Sequence, residues 1–121
     1  MAFTFYAQRI FVTRFNAAVG FYSQALGLEP EFLDEDMGWA EFELGAAKIA
    51  LELIDADTEE ANDLVGRFVG VTLQVDDIQS AYEDMTQRGI EFVAAPEKQP
   101  WGGTLGHFKD LEGNILSIFS M

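Results

Sequence analysis

The sequence predicts an α+β fold made of two successive β-α-β-β-β modules. Three observations predict it. Apolar residues switch between the two-residue period of strands and the three-to-four-residue period of helices, in the same order twice over. The two helix exits match, Leu26-Gly27-Leu28-Glu29 against Arg88-Gly89-Ile90-Glu91. An acidic stretch lies between the copies and reads as a linker.

Each element has a local reason. Within residues 3–13, Ile10 and Val12 alternate with Arg9 and Phe11, which predicts a strand. Asn16 is placed to cap a helix, because its side-chain oxygen can accept a first-turn N–H. Ala18, Phe21, Tyr22, Ala25 and Leu26 follow at helical spacing, and Gly27 supplies the left-handed stop. Strands are expected over 28–33, 39–44 and 48–54, punctuated by Gly38 and by Gly45, which turns a hairpin. In the second copy Val69, Val71, Leu73 and Val75 alternate with Gly70, Thr72 and Gln74, a strand over 69–75. Asp77 caps the next helix, Ile78, Ala81, Tyr82 and Met85 form its apolar face, and Gly89 ends it. Strands over 90–94, 104–109 and 114–119 complete the copy. The expected organisation is one domain over 1–121, with modules at 1–56 and 68–121 and a linker at 57–67.

Composition narrows the function. At 121 residues and 49% hydrophobic, with eleven Phe, the chain can bury a core without staples. Cysteine is absent, which removes disulfides, zinc ribbons and thiol catalysis and points to a reducing cytoplasm. A formal net charge of -14 argues against nucleic acid as a partner, since phosphates need a positive footprint. Thirteen of the 21 acids fall between Glu29 and Asp63, opposed only by Lys48. That run is either a solvated edge and linker or an electrostatic funnel for a cation. No apolar run matches a membrane helix, and the N-terminus lacks the pattern of a signal peptide.

Three runs carry a family resemblance: Phe21-Tyr22 with Leu26-Gly27-Leu28, Val75-Asp76-Asp77, and Lys109-Asp110-Leu111-Glu112-Gly113-Asn114. In this order they resemble the vicinal oxygen chelate superfamily of glyoxalase, bleomycin-resistance and extradiol dioxygenase proteins. The last run is similar to that superfamily's K-D-P-D-G-N turn, with Leu111 in place of proline. The resemblance implies a glyoxalase/bleomycin-resistance fold, a mixed sheet curled around a concave cavity. It also implies four metal-ligand positions, which fall on Ala7, Glu52, Gly70 and Ser117. Only Glu52 is a good ligand, and Gln8 could replace Ala7 only by a register slip that turns the strand over. No metal, no cofactor and no catalytic residue is therefore expected.

Alternation from those positions places Arg9, Phe11, Lys48, Ala50, Glu52, Thr72, Gln74, Ile115, Ser117 and Phe119 on the cavity face. Glu52 is either ion-paired with Arg9 or Lys48 or a ligand contact. Trp101-Gly102-Gly103-Thr104 resembles the W-G-G-T run of bleomycin-resistance proteins, whose tryptophan stacks on flat drug rings; Asp36-Met37-Gly38-Trp39 is similar to their A-G-W run. His107 faces the cavity if Phe108 faces the helices, and otherwise the outside. The expected ligand-binding set is Arg9, Phe11, Trp39, Glu52, Thr72, Gln74, Trp101, His107 and Ser117. The expected function is metal-free sequestration of a cationic aromatic small molecule of the bleomycin type by a homodimer. The alternative is a lyase, isomerase or dioxygenase of the same superfamily, and a sensor or accessory role is a third.

Overall fold

The computed structural model describes residues 2–121, which fall into two compact units divided between Val65 and Gly66. In the first, strand β1 (Gln8–Val12) leads into helix α1 (Phe15–Leu26), followed by β2 (Phe32–Asp34), β3 (Trp39–Leu44) and β4 (Ala47–Leu53). The sheet order is β1-β4-β3-β2, with β1 parallel to β4 and the other pairs antiparallel. Register aligns Ile10 with Leu51 and Leu51 with Ala40, and Ile49 with Phe42, so these buried side chains share one face. Phe15, Ala18 and Tyr22 of α1 are buried too. Tyr22 has no exposed surface, and its ring meets Phe42 at 6.5 Å between centroids.

The first unit departs from the sequence expectation in four places, the first being the strand expected over 28–33, which is confined to β2 (Phe32–Asp34). Helix α1 starts at Phe15, with Arg14 in the cap position and no side-chain cap, so Asn16 lies inside the first turn. Burial of Phe15 fixes that start earlier than a cap at Asn16 would. Strand β1 begins only at Gln8, because Gln8 pairs with Ile49 and β4 itself begins at Ala47, just past the Gly45 turn. The expected linker holds a short helix, α2 (Glu59–Leu64). The Thr58 hydroxyl accepts the Ala61 N–H at 3.3 Å, and Glu59 and Glu60 occupy the first turn, where the helix dipole favours negative charge.

The second unit runs β5 (Phe68–Gln74), α3 (Ile78–Gln87), β6 (Glu91–Phe92), β7 (Glu97–Lys98), β8 (Thr104–Lys109) and β9 (Ile115–Ser120). Sheet order is β5-β9-β8-β6, with β7 also on β8. Asp77 caps α3 by accepting the Ser80 N–H at 3.2 Å, as its position predicts. Tyr82 packs edge-on against Phe92 at 4.8 Å, and Phe92 in turn against the fully buried Phe108. The strand expected over 90–94 is cut to two residues, and the chain returns to β8 through β7. Among the described residues, no helix is long and apolar enough to cross a membrane.

The turn from β8 to β9 explains its own sequence. The buried Asp110 carboxylate accepts the N–H groups of Glu112 at 2.8 Å and Asn114 at 3.0 Å, and the Asn114 amide at 2.8 Å. Asn114 Oδ1 accepts the Gly66 N–H at 2.8 Å, tying the turn to the start of β5. Leu111, where the family turn has proline, is half-exposed. Asp110→Ala should cost about 1–3 kcal/mol, because it strands buried donors. Urea unfolding measures this, and a loss within the scatter of surface substitutions would show that the turn does not hold β5.

Candidate functional site

In both units one helix covers one sheet face, and the other face, called open here, carries most of the predicted site residues. In the first unit, register lines up Phe11, Glu52 and Trp39 across β1, β4 and β3, and likewise Arg9, Ala50 and Glu41. Arg9 Nη1 donates to Glu52 Oε1 at 2.8 Å, and its guanidinium lies 5.2 Å from the Phe11 ring centre. The pair is partly exposed, 54% for the Arg9 side chain and 29% for Glu52. Of the two ion-pair partners open to Glu52, Arg9 takes it and Lys48 goes elsewhere.

Lys48 pairs at 3.0 Å with Glu41, the residue that the expected site omitted. Glu41 is buried, and its Oε2 accepts both the Tyr6 hydroxyl at 2.5 Å and the Trp39 indole N–H at 2.7 Å. The Lys48 ammonium also stands 4.5 Å from the Tyr6 ring centre. The Tyr6 hydrogen bond holds the Glu41 carboxyl below its ordinary pKa against the opposing effect of burial, with Trp39 and Lys48 adding to it. By the same bond Glu41 raises the Tyr6 phenol, and its bond to Lys48 raises that ammonium. Strand alternation from Ala50 across the Gly45 hairpin puts Glu41 on this face, and that signal was available in the sequence. Tyr6 lies outside the strand, so periodicity could not place it. Trp39 is on the open face, with its N–H already committed.

The second unit's open face settles the direction of His107. Phe108 is buried toward α3, so His107 lies on the open side, with Nδ1 2.6 Å from Ser117 Oγ and Phe68 edge-on at 5.7 Å. Ser117 is only 1% exposed and sits between Thr72 and His107 in register. Gln74 aligns with Phe119, whose ring meets Trp101 at 6.1 Å and 65°. Thr72 and Gln74 are exposed, and Trp101 is 54% exposed.

The four metal positions do not fit a metal centre. Ala7 and Gly70 offer no donor, Glu52 is engaged by Arg9, and Ser117 by His107. Gly70 lies in an irregularity of β5, where register shifts between Phe68 and Thr72 and its φ is +83°. Gln8 is in register with the buried Ile49, on the helix side, so it does not replace Ala7. Among the described residues, no three His, Cys, Asp or Glu side chains gather as a ligand set.

The depressed Glu41 and Asp77 carboxyls fix a sign for the pH response, the latter held down by the Ser80 backbone N–H. A carboxyl with a lowered folded pKa contributes stability above its unfolded pKa and loses it as pH falls through the folded one. Melting temperature should therefore drop as pH falls below about 4. Glu41→Gln should melt lower at neutral pH and show a shallower acid decline; parallel curves for the two proteins would remove Glu41 from that response.

Three comparisons bear on this geometry. The family model described as Glyoxalase/Bleomycin resistance protein/Dioxygenase superfamily matches residues 4–118. The uncharacterized protein YraH of Bacillus subtilis (strain 168) is 30% identical, over 93% of this chain and 94% of its own. A solved superfamily member from Sphaerobacter thermophilus is 29% identical with a TM-score of 0.76, covering 98% of both chains. A lactoylglutathione lyase from Agrobacterium tumefaciens shares the fold at 17% identity and a TM-score of 0.74, covering 97% of this chain and 92% of its own. The two-module α+β architecture, its motifs and these matches agree: the chain belongs to the glyoxalase/bleomycin resistance protein/dioxygenase superfamily.

Proposed function

We propose that this chain is a metal-independent binding protein that sequesters a cationic, flat aromatic small molecule of the bleomycin type. The observation that carries the reading is Trp101, an indole left 54% exposed beside Phe119 instead of being plugged into the core. A large flat ring with one wet face is suited to stacking. The paired states of Glu52 and Ser117 support binding over metal chemistry, and the net charge of -14 favours a cation. The candidate contact residues are Arg9, Phe11, Trp39 and Glu52 on the open face of the first module and, taken separately, Thr72, Gln74, Trp101, His107 and Ser117 on that of the second. The working unit in this reading is a homodimer, and the exposed Phe3, Phe5, Phe32 and Phe68 side chains favour burial against a second copy.

One observation favours an enzymatic reading as the second choice. Ser117 holds His107 at Nδ1, leaving Nε2 as the ring nitrogen with no bond among the described residues, the arrangement of an acid–base group. In that reading the protein is a lyase, isomerase or dioxygenase acting on a small oxygenated substrate.

Calorimetric titration with metal-free bleomycin separates the two. Sequestration predicts saturable binding that weakens as salt rises, and a loss of about 1–3 kcal/mol in Trp101→Ala, by analogy with base–aromatic stacking. No heat and no change in tryptophan emission would remove this ligand. Turnover of the hemithioacetal that glyoxalases take, abolished in His107→Gln and kept in Trp101→Ala, would establish the second reading instead. Light scattering tests the dimer: twice the chain mass is expected, and a monomer at working concentration would exclude it.

A further inference from the structure

We propose that Ser117 is the positioning residue of a site for an uncharged carbonyl group. Its hydroxyl donates to His107 Nδ1, which leaves the ring hydrogen on Nε2 as the donor of that site. This goes beyond both functional readings, in which His107 is a contact or an acid–base group. A neutral imidazole carries one hydrogen, on either nitrogen, and the 2.6 Å contact between Nδ1 and Ser117 Oγ fits both tautomers. The surroundings of the two ends decide between them. Ser117 is only 1% exposed, and among the described residues His107 is the one hydrogen-bond partner of its side chain. The neighbouring Thr72 hydroxyl turns instead to the Gly70 carbonyl, at 3.3 Å. A hydrogen on Nδ1 would make the Ser117 hydroxyl an acceptor and strand its own hydrogen, buried and unbonded. The far end of the ring is under no such constraint. Nε2 has no partner among the described residues and is not sealed from solvent. Water can donate to a bare nitrogen or accept from an N–H, so that end accommodates either tautomer. The buried end therefore sets the hydrogen.

His107 lines a cleft of about 70 Å³ together with Leu105 of β8 and with Val93, Ala94, Ala95 and Glu97 of the neighbouring segment. The Val93 N–H donates to the His107 carbonyl at 2.9 Å, and Glu97 pairs with Leu105, which holds that segment against β8. Drug-sized ligands fill roughly 300–1,000 Å³, so this cleft takes a functional group with a short apolar flank. A fixed Nε2–H selects for an acceptor and against a cation, which offers only hydrogens. A carboxylate would accept as well, but Glu97 carries like charge. The class that remains is an uncharged carbonyl compound, an amide above all, whose N–H can serve the Glu97 carboxylate. In the enzymatic reading, His107 then polarises a carbonyl by donating to it instead of taking up a proton.

His107 is the only histidine of the chain, so labelling histidine with heavy nitrogen gives one pair of ring resonances and no assignment problem. Long-range proton–nitrogen correlation at about pH 8.5, where an ordinary imidazole is neutral, tells which nitrogen carries the hydrogen. It should sit on Nε2. Ser117→Ala should move the Nδ1 resonance toward that of an unbonded nitrogen, and Ser117→Thr, which keeps a hydroxyl, should hold it at the wild-type position. Propionamide in the millimolar range should shift the Nε2 signal saturably. Propylammonium, of similar size with no acceptor, should leave it still. Propionate should bind less well than the amide and gain in Glu97→Gln, a change at an exposed residue. A hydrogen on Nδ1 in the wild-type protein overturns the proposal, and that measurement needs no variant to fold. So does an Nδ1 resonance indifferent to Ser117→Ala, an Nε2 signal unmoved by propionamide, or one moved equally by propylammonium. Propionamide shifting Nε2 in a protein that ignores bleomycin would reject the ligand proposed above and leave this site standing.

Discussion

One helix can cover one face of a sheet, and each module here has one long helix for a sheet of four or five strands. Alternate apolar positions, Ile10, Phe42, Ile49 and Leu51 in the first module and Phe108, Leu116 and Ile118 in the second, are drawn to that covered face. The intervening positions have to be satisfied by other means. In the first module they are satisfied by ionic pairs laid against aromatic rings, Arg9 over Phe11 and Lys48 over Tyr6. In the second they are satisfied by a hydroxyl–imidazole pair and by ring edges. The chemistry of each open face is thus the remainder left by the burial of the other.

This accounts for the contrast between the two ion pairs of the first module. Glu41, with three donors around it and little water, is held in place as part of the framework. Glu52, with one partner and more exposure, keeps acceptor capacity for something else. Equal charge and equal strand geometry therefore give a brace in one case and a partly exposed carboxylate in the other. The number of neighbouring donors decides between them.

Local signals were legible wherever a single residue type sufficed. Gly27, Gly45 and Gly89 all adopt the positive φ their positions called for, and Asp77 caps α3. Competition between local and tertiary preference was not legible: Asn16 is a good cap, and the buried Phe15 overrules it. Nor could alternation alone decide His107, because that needed the burial of Phe108. The Thr58 cap and first-turn acids of α2 were readable, but the density of acidic residues masked a helix as a linker. Of the site, strand register gave the residues that line up. The Tyr6–Glu41–Trp39–Lys48 grouping was hidden because one member comes from outside any strand.

The irregularity in β5 carries a consequence for how this lineage can change. Gly70 holds φ at +83°, where an L-residue is strained by about 1–2 kcal/mol. A mutation placing histidine or glutamate there meets that penalty before it can offer a donor, and relief requires the strand to be re-threaded against β9 between Phe68 and Thr72. A donor side chain at residue 70 therefore costs backbone strain before it offers any ligand. At that point of the strand the backbone, before any side-chain chemistry, decides which residues can stand facing the open side.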